Sequence, residues 1–105
     1  MNITDTGLGD EVVRLIQSLF RTHPEIEAAW LYGSRAKGNF KTGSDIDLCM
    51  TGEQLNHRLL ATINRELDEL PIPYTIDLSI RSQISNPNLL AHIDRVGKLF
   101  YRREG

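Results

Sequence analysis

Two acidic side chains stand two residues apart in Ser44-Asp45-Ile46-Asp47-Leu48, and a third lies in the similar run Thr75-Ile76-Asp77-Leu78. Strand side chains two apart share a face, about 7 Å apart along the backbone at ~3.3 Å of rise per residue. Asp45 and Asp47 then stand together while Ile46 and Leu48 turn toward a core. Asp77 holds the same kind of position in another alternating run. Three carboxylates on one patch repel one another and favour protonation unless a cation neutralises them. Oxygen-only ligands select a hard cation, Mg2+ or Mn2+, and Mg2+ combines a few carboxylates with substrate phosphates. The chemistry indicated is metal-assisted phosphoryl or nucleotidyl transfer. For any one aspartate, a solvent-facing side of a half-buried sheet explains the pattern as well; three together, beside a Gly-Ser turn, weaken that explanation.

Gly33-Ser34 supplies the second half. It follows an apolar run and opens a short helical turn, so its backbone N–H groups and the Ser34 hydroxyl are expected to face an anion. Gly33 lets the chain pass close to a phosphate with no Cβ in the way. Arg35 and Lys37 follow at once and add positive charge. Gly-Ser alone is common in ordinary turns, and the spacing to the aspartates gives it weight.

The elements that must position these residues follow from the hydrophobic periodicity. Asp10 to Thr22 places Val12, Leu15, Ile16, Leu19 and Phe20 at helical spacing and ends near His23-Pro24. Ile26 to Tyr32 is a short apolar run expected to be a buried strand. Residues 35–43 read as a loop with one helical turn, and Ser44 to Met50 as a strand. Gln54 to Leu70 is a second amphipathic helix, stopped by Pro71 and Pro73. Thr75 to Ile80 alternates as a strand. Asn86 to Val96 is a third helix, with Asn86 as N-cap, Pro87 at the first helical position and Gly97 as the stop. Lys98 to Tyr101 completes the set as a strand. The order predicts an α/β (α+β) fold in one domain spanning residues 1–105, helices covering a small mixed sheet.

Composition narrows the function. The chain has 105 residues, 40% of them hydrophobic, and a formal net charge of -2. It therefore carries no basic excess for strong nucleic-acid binding. One cysteine excludes an internal disulfide and a Cys-rich zinc site. No apolar run reaches the ~18–20 residues of a membrane span, and the first residues lack a secretory pattern, so a cytoplasmic location is expected.

The segment GSRAKGNFKTGSDIDL, a Gly-Ser pair, ten residues and then Asp-x-Asp, resembles the DNA polymerase β-like nucleotidyltransferase superfamily. More narrowly, it is similar to the minimal nucleotidyltransferase (MNT) group. The resemblance extends over nearly the whole chain, from the leading helix through WLYGSRAKG, SDIDL and TIDLS to GKLFYRRE. It implies the polymerase β-like palm fold and two divalent metals, Mg2+ or Mn2+, bridging the triphosphate of a nucleotide, with ATP as the expected substrate. Asp45 and Asp47 would hold both metals. Asp77 would hold the catalytic one and help activate the acceptor hydroxyl. Gly33 and Ser34 would hold the β- and γ-phosphates. Larger enzymes of this kind carry further domains for the acceptor, whereas the stretch after SDIDL suffices only to finish one domain. An acceptor pocket is therefore expected from a second protein. The MNT group is commonly encoded beside a HEPN-domain protein, often an RNase toxin, and some members transfer AMP to a tyrosine on it. The resemblance thus implies an antitoxin-like protein adenylyltransferase, in a heteromer or a homodimer. Two other functions compete: a nucleotide-binding module that neutralises its partner by contact alone, and transfer to a small molecule.

Other residues carry less. His23, His57 and His92 lie in separate segments with no metal-site spacing. Cys49 reads as a small buried thiol. Trp30 and Tyr32 read as sheet packing, with Tyr32 at the edge of the nucleotide. Leu89, Leu90, Ile93 and Val96 read as core, and Arg102 and Arg103 as a solvated end.

Overall fold

A computed structural model of the chain describes residues 7–41 and 44–104. Helix α1 spans Asp10–Arg21, strand β1 Ala28–Tyr32, the single turn α2 Ser34–Lys37 and strand β2 Ile46–Thr51. Helix α3 (His57–Asp68), strand β3 (Ile76–Ile80), a 3-10 turn (Arg81–Gln83), helix α4 (Pro87–Val96) and strand β4 (Lys98–Arg102) follow. The strands form one mixed sheet in the order β3-β2-β1-β4. β1 is antiparallel to β2 and β4, and β2 is parallel to β3. This is the small mixed sheet the periodicity predicts, and α3 makes the crossover that parallel neighbours require.

The two faces of the sheet have different fates. Leu31, Leu48 and Leu78 fall in one lateral row, and Ala29, Met50 and Ile80 in the next. They form a core with Val13, Ile16 and Phe20 of α1 and Ile63 and Leu67 of α3. A register shift between Ala29 and Trp30 interrupts the β1–β4 ladder. Such a bulge turns neighbouring residues to the same side; Phe100 and Tyr101 both pack edge-on against Phe20, at 6.4 and 5.6 Å between ring centroids. On the opposite face Tyr32 and Cys49 meet Ile93 of α4. The rest of that face carries Asp47 and Asp77.

Local chemistry sets the helix ends. α3 begins at His57, three residues later than the pattern predicts, because the Asn56 side chain accepts a hydrogen bond from the Leu59 amide at 2.9 Å. Asn86 caps α4 as expected, accepting from the amides of Asn88 and Leu89, with Pro87 behind it. Gly97 ends α4 as predicted. Its φ is -60°, so no left-handed turn is involved; a Cβ there would strike the Ile93 carbonyl oxygen. His23 pairs with Glu66, joining the end of α1 to α3. Phe20 is fully buried at the junction of α1 and β4. Phe20→Ala is therefore expected to lower unfolding free energy by about 3–5 kcal/mol in a denaturant titration.

Candidate active site

β2 is the central carrier of the site. Its first residues run beside β3 in parallel register, which pairs Asp47 with Asp77, while on the other side Asp47 lies opposite Tyr32 of β1. Three neighbouring strands thus set Tyr32, Asp47 and Asp77 side by side in one row, with neighbouring strands about 4.8 Å apart. The next row holds Trp30, Cys49 and Ser79. Asp45 lies just ahead of β2 rather than within it, exposed to solvent, as is Asp77. The amide of Ile46 donates to the Thr75 carbonyl at 2.9 Å, so the two acidic segments are joined where the strands begin.

Electrostatics mark Asp47. Burial pushes its carboxyl above the ordinary aspartate range, and the charges of Asp77 and Asp45 push it further. Like-charged carboxylates act on one another here, as the sequence predicts. They do not close into a ready-built ligand cage: among the described residues, no three His, Cys, Asp or Glu side chains come together closely enough to hold a metal ion. Oxygen-only donors are nonetheless the chemistry that a hard divalent cation takes.

The Gly-Ser turn meets Asp47 directly. Gly33 has φ of +78°, and a Cβ on it would collide with Asp47 Oδ2. Its conformation therefore calls for glycine, and the missing Cβ leaves room for the carboxylate. The Gly33 amide, expected to face an anion, instead donates to Nε2 of His92 on α4 at 3.1 Å. Ser34 starts the α2 turn, which Gly38 closes in the left-handed conformation. Lys37 is exposed on this turn.

Arg35 corrects an expectation. Instead of reaching the phosphates it is 2% exposed, with its guanidinium between the rings of Phe40 and Tyr74 at 5.0 and 4.8 Å. Its Nε and Nη2 donate to the Ser44 carbonyl at 3.0 and 2.9 Å. A planar guanidinium that stacks and forks suits such a buried position. It ties the Gly-Ser half of the motif to the residue preceding Asp45. Thr42 and Gly43, within the loop read from the sequence, lie outside the described residues.

Sequence reasoning gave no role to His92 or Ser79. Ser79 lies beside Cys49 in the sheet, and its hydroxyl donates to the Leu48 carbonyl at 3.4 Å. Burial, the largest effect, and the nearby acidic groups hold the Tyr32 hydroxyl above its usual range, and burial does the same for the Cys49 thiol. The parallel alignment of Asp-x-Cys with Asp-x-Ser was available as a signal for Ser79. For His92 there was none, because its partner lies 59 residues away.

A half-open sheet presenting paired carboxylates beside a Gly-Ser turn is the arrangement of a nucleotidyltransferase fold. Residues 14–105 match the model of the family described as polymerase beta, nucleotidyltransferase. The chain belongs to that family. No curated protein matches it in sequence. Its fold is shared with solved structures at 18% identity. One is a toxin-antitoxin with AMP-PNP, at TM-score 0.69 over 92% of this chain and 76% of that one. A second is the toxin-antitoxin MntA-HepT, at 0.68 over 90% and 74%. A third is a tri-AMPylated HEPN toxin from Shewanella oneidensis in complex with MNT antitoxin, at 0.66 over 89% and 71%.

The raised Asp47 carboxyl has a consequence for stability. Between the ordinary aspartate value, about 3.9, and the higher folded value, the folded chain binds more protons than the unfolded one. Stability is then full at low pH and falls as pH rises through that window. Asp47→Asn, which removes the charge, should melt higher than the natural protein near pH 7 in metal-free buffer. The advantage should shrink to nothing as pH falls below about 3.9. An equal or lower melting temperature near neutrality would contradict this origin of the shift.

Proposed function

We propose that the protein transfers a nucleoside monophosphate, AMP from ATP, to a hydroxyl acceptor, and that the acceptor is a tyrosine of a HEPN-domain toxin for which this chain is the antitoxin. The observation that carries the reading is the row of Asp47 and Asp77 on adjacent parallel strands with Gly33 packed against Asp47. The relatives add support. One solved complex of this fold is described with AMP-PNP and another with a tri-AMPylated HEPN toxin.

In this reading the tyrosine oxygen forms a bond to the α-phosphorus, the α–β phosphoanhydride breaks, pyrophosphate departs and the hydroxyl proton is lost. Asp45, Asp47 and Asp77 would hold two divalent cations, Mg2+ or Mn2+, whose contribution is to stabilise the entering and leaving oxygens. Asp77 is also the group nearest in type and exposure to accept the hydroxyl proton. Ser34 supplies a hydroxyl to the phosphates and Lys37 an exposed charge. Arg35 serves by tying the Gly-Ser half of the motif to Ser44. The partner supplies the acceptor, and the pair works in the cytoplasm.

The acidic side chains, which among the described residues are not gathered closely enough to hold a metal ion, favour a second reading, in which the chain binds nucleotide and neutralises its toxin by contact alone. One experiment separates the two: labelled ATP and Mg2+ with the protein and the product of the gene beside its own. Transfer labels the partner, and Asp47→Asn reduces labelling by about a hundredfold or more, as expected when several kcal/mol of charge stabilisation is lost. Equal labelling by the variant would end the catalytic assignment. An unlabelled partner that is still neutralised would support the second reading.

A further inference from the structure

His92 lies on α4, distant in sequence from both halves of the motif, yet it is the residue that holds the motif's glycine. Its Nε2 accepts the Gly33 amide hydrogen at 3.1 Å, and its ring meets the Tyr32 ring edge to face, with centroids 6.2 Å apart at 80°. Tyr32 and Gly33 are the last residue of β1 and the first of the turn. The imidazole therefore holds the point where the chain leaves the sheet for the Gly-Ser turn. The turn has little freedom: Gly33 is at positive φ and lies against Asp47. An amide rotated away from His92 would carry Ser34 with it relative to the carboxylate. α4 is itself anchored, through Ile93 packed on Tyr32 and Cys49 and through the ion pair of Asp94 with Arg81 at 2.9 Å.

We propose that His92 is a positioning residue of the nucleotide site: by accepting the Gly33 amide from α4, it fixes the Gly-Ser turn against Asp47 in the arrangement that receives the triphosphate. The proposal rests on the nucleotide-binding reading above. It acts through one hydrogen bond, so the acceptor atom and not the ring's bulk is what matters. His92→Phe keeps an aromatic ring for Tyr32 and has no acceptor. His92→Gln has an amide oxygen able to accept.

The test titrates MgATP into the natural protein and both variants by calorimetry, with melting temperatures alongside. Nitrogen NMR of the natural protein supplies a direct readout, a scalar coupling across the bond between the Gly33 nitrogen and Nε2 of His92. The expected result is that His92→Phe, folded and melting near the natural protein, binds MgATP about tenfold more weakly, while His92→Gln recovers most of the affinity. A folded His92→Phe with natural affinity would overturn the role of His92 and leave the nucleotide reading standing. Equal loss in Phe and Gln variants would also overturn it, since the acceptor would then be irrelevant. A natural protein that binds no MgATP while its Gly33–His92 coupling is present would overturn the nucleotide reading itself, and this proposal with it.

Discussion

The half-buried carboxylate of Asp47 is the constraint around which this molecule is built. It sits in an inner strand, with a tyrosine on one side, a second aspartate on the other and a glycine against its oxygen. Burial and like charge both work against its ionised form, so the position costs the fold stability. A sheet built only for stability would place an apolar or neutral residue there. The cost makes sense if the carboxylates are matched to a charge that arrives with a substrate, which is how strained positions are retained at functional sites.

The remainder of the fold reads as support for that position. One sheet face, with α1 and α3, buries nearly all of the aliphatic core, so the opposite face can carry polar groups without unravelling the strands. α4 covers only part of that face, meeting Tyr32 and Cys49 and reaching Gly33 through His92. Arg35, buried against two aromatic rings, binds α2 to Ser44. The two halves of the motif are thus held by a guanidinium on one side and an imidazole on the other, and neither needs to touch a nucleotide to matter.

Much of this was readable in the sequence. The alternation of Ile46, Leu48 and Met50 with Asp47 and Cys49, and of Ile76, Leu78 and Ile80 with Asp77, fixes which face each aspartate occupies, because a strand's period admits no other choice. The Asn86-Pro87 start of α4 was readable because capping is local chemistry. What was not readable depends on contacts between distant segments. The charge of Arg35 suggested a phosphate, and only the positions of Phe40, Tyr74 and Ser44 reveal that it is enclosed. Gly97 was readable as a stop, but the close packing on Ile93 that demands glycine there was not. His92 falls one residue before the buried Ile93, and helical spacing alone cannot tell that its ring reaches Gly33.

The central claim is that the acidic row and the glycine beside it form a receptor for a nucleotide carried with divalent cations. Calorimetric titration of ATP into the metal-free protein, repeated with Mg2+ present, tests it most directly. The account predicts saturable binding that depends on Mg2+ and disappears when Asp77 is replaced by asparagine. Binding of equal strength with and without the cation, or undiminished in the Asp77→Asn protein, would contradict it.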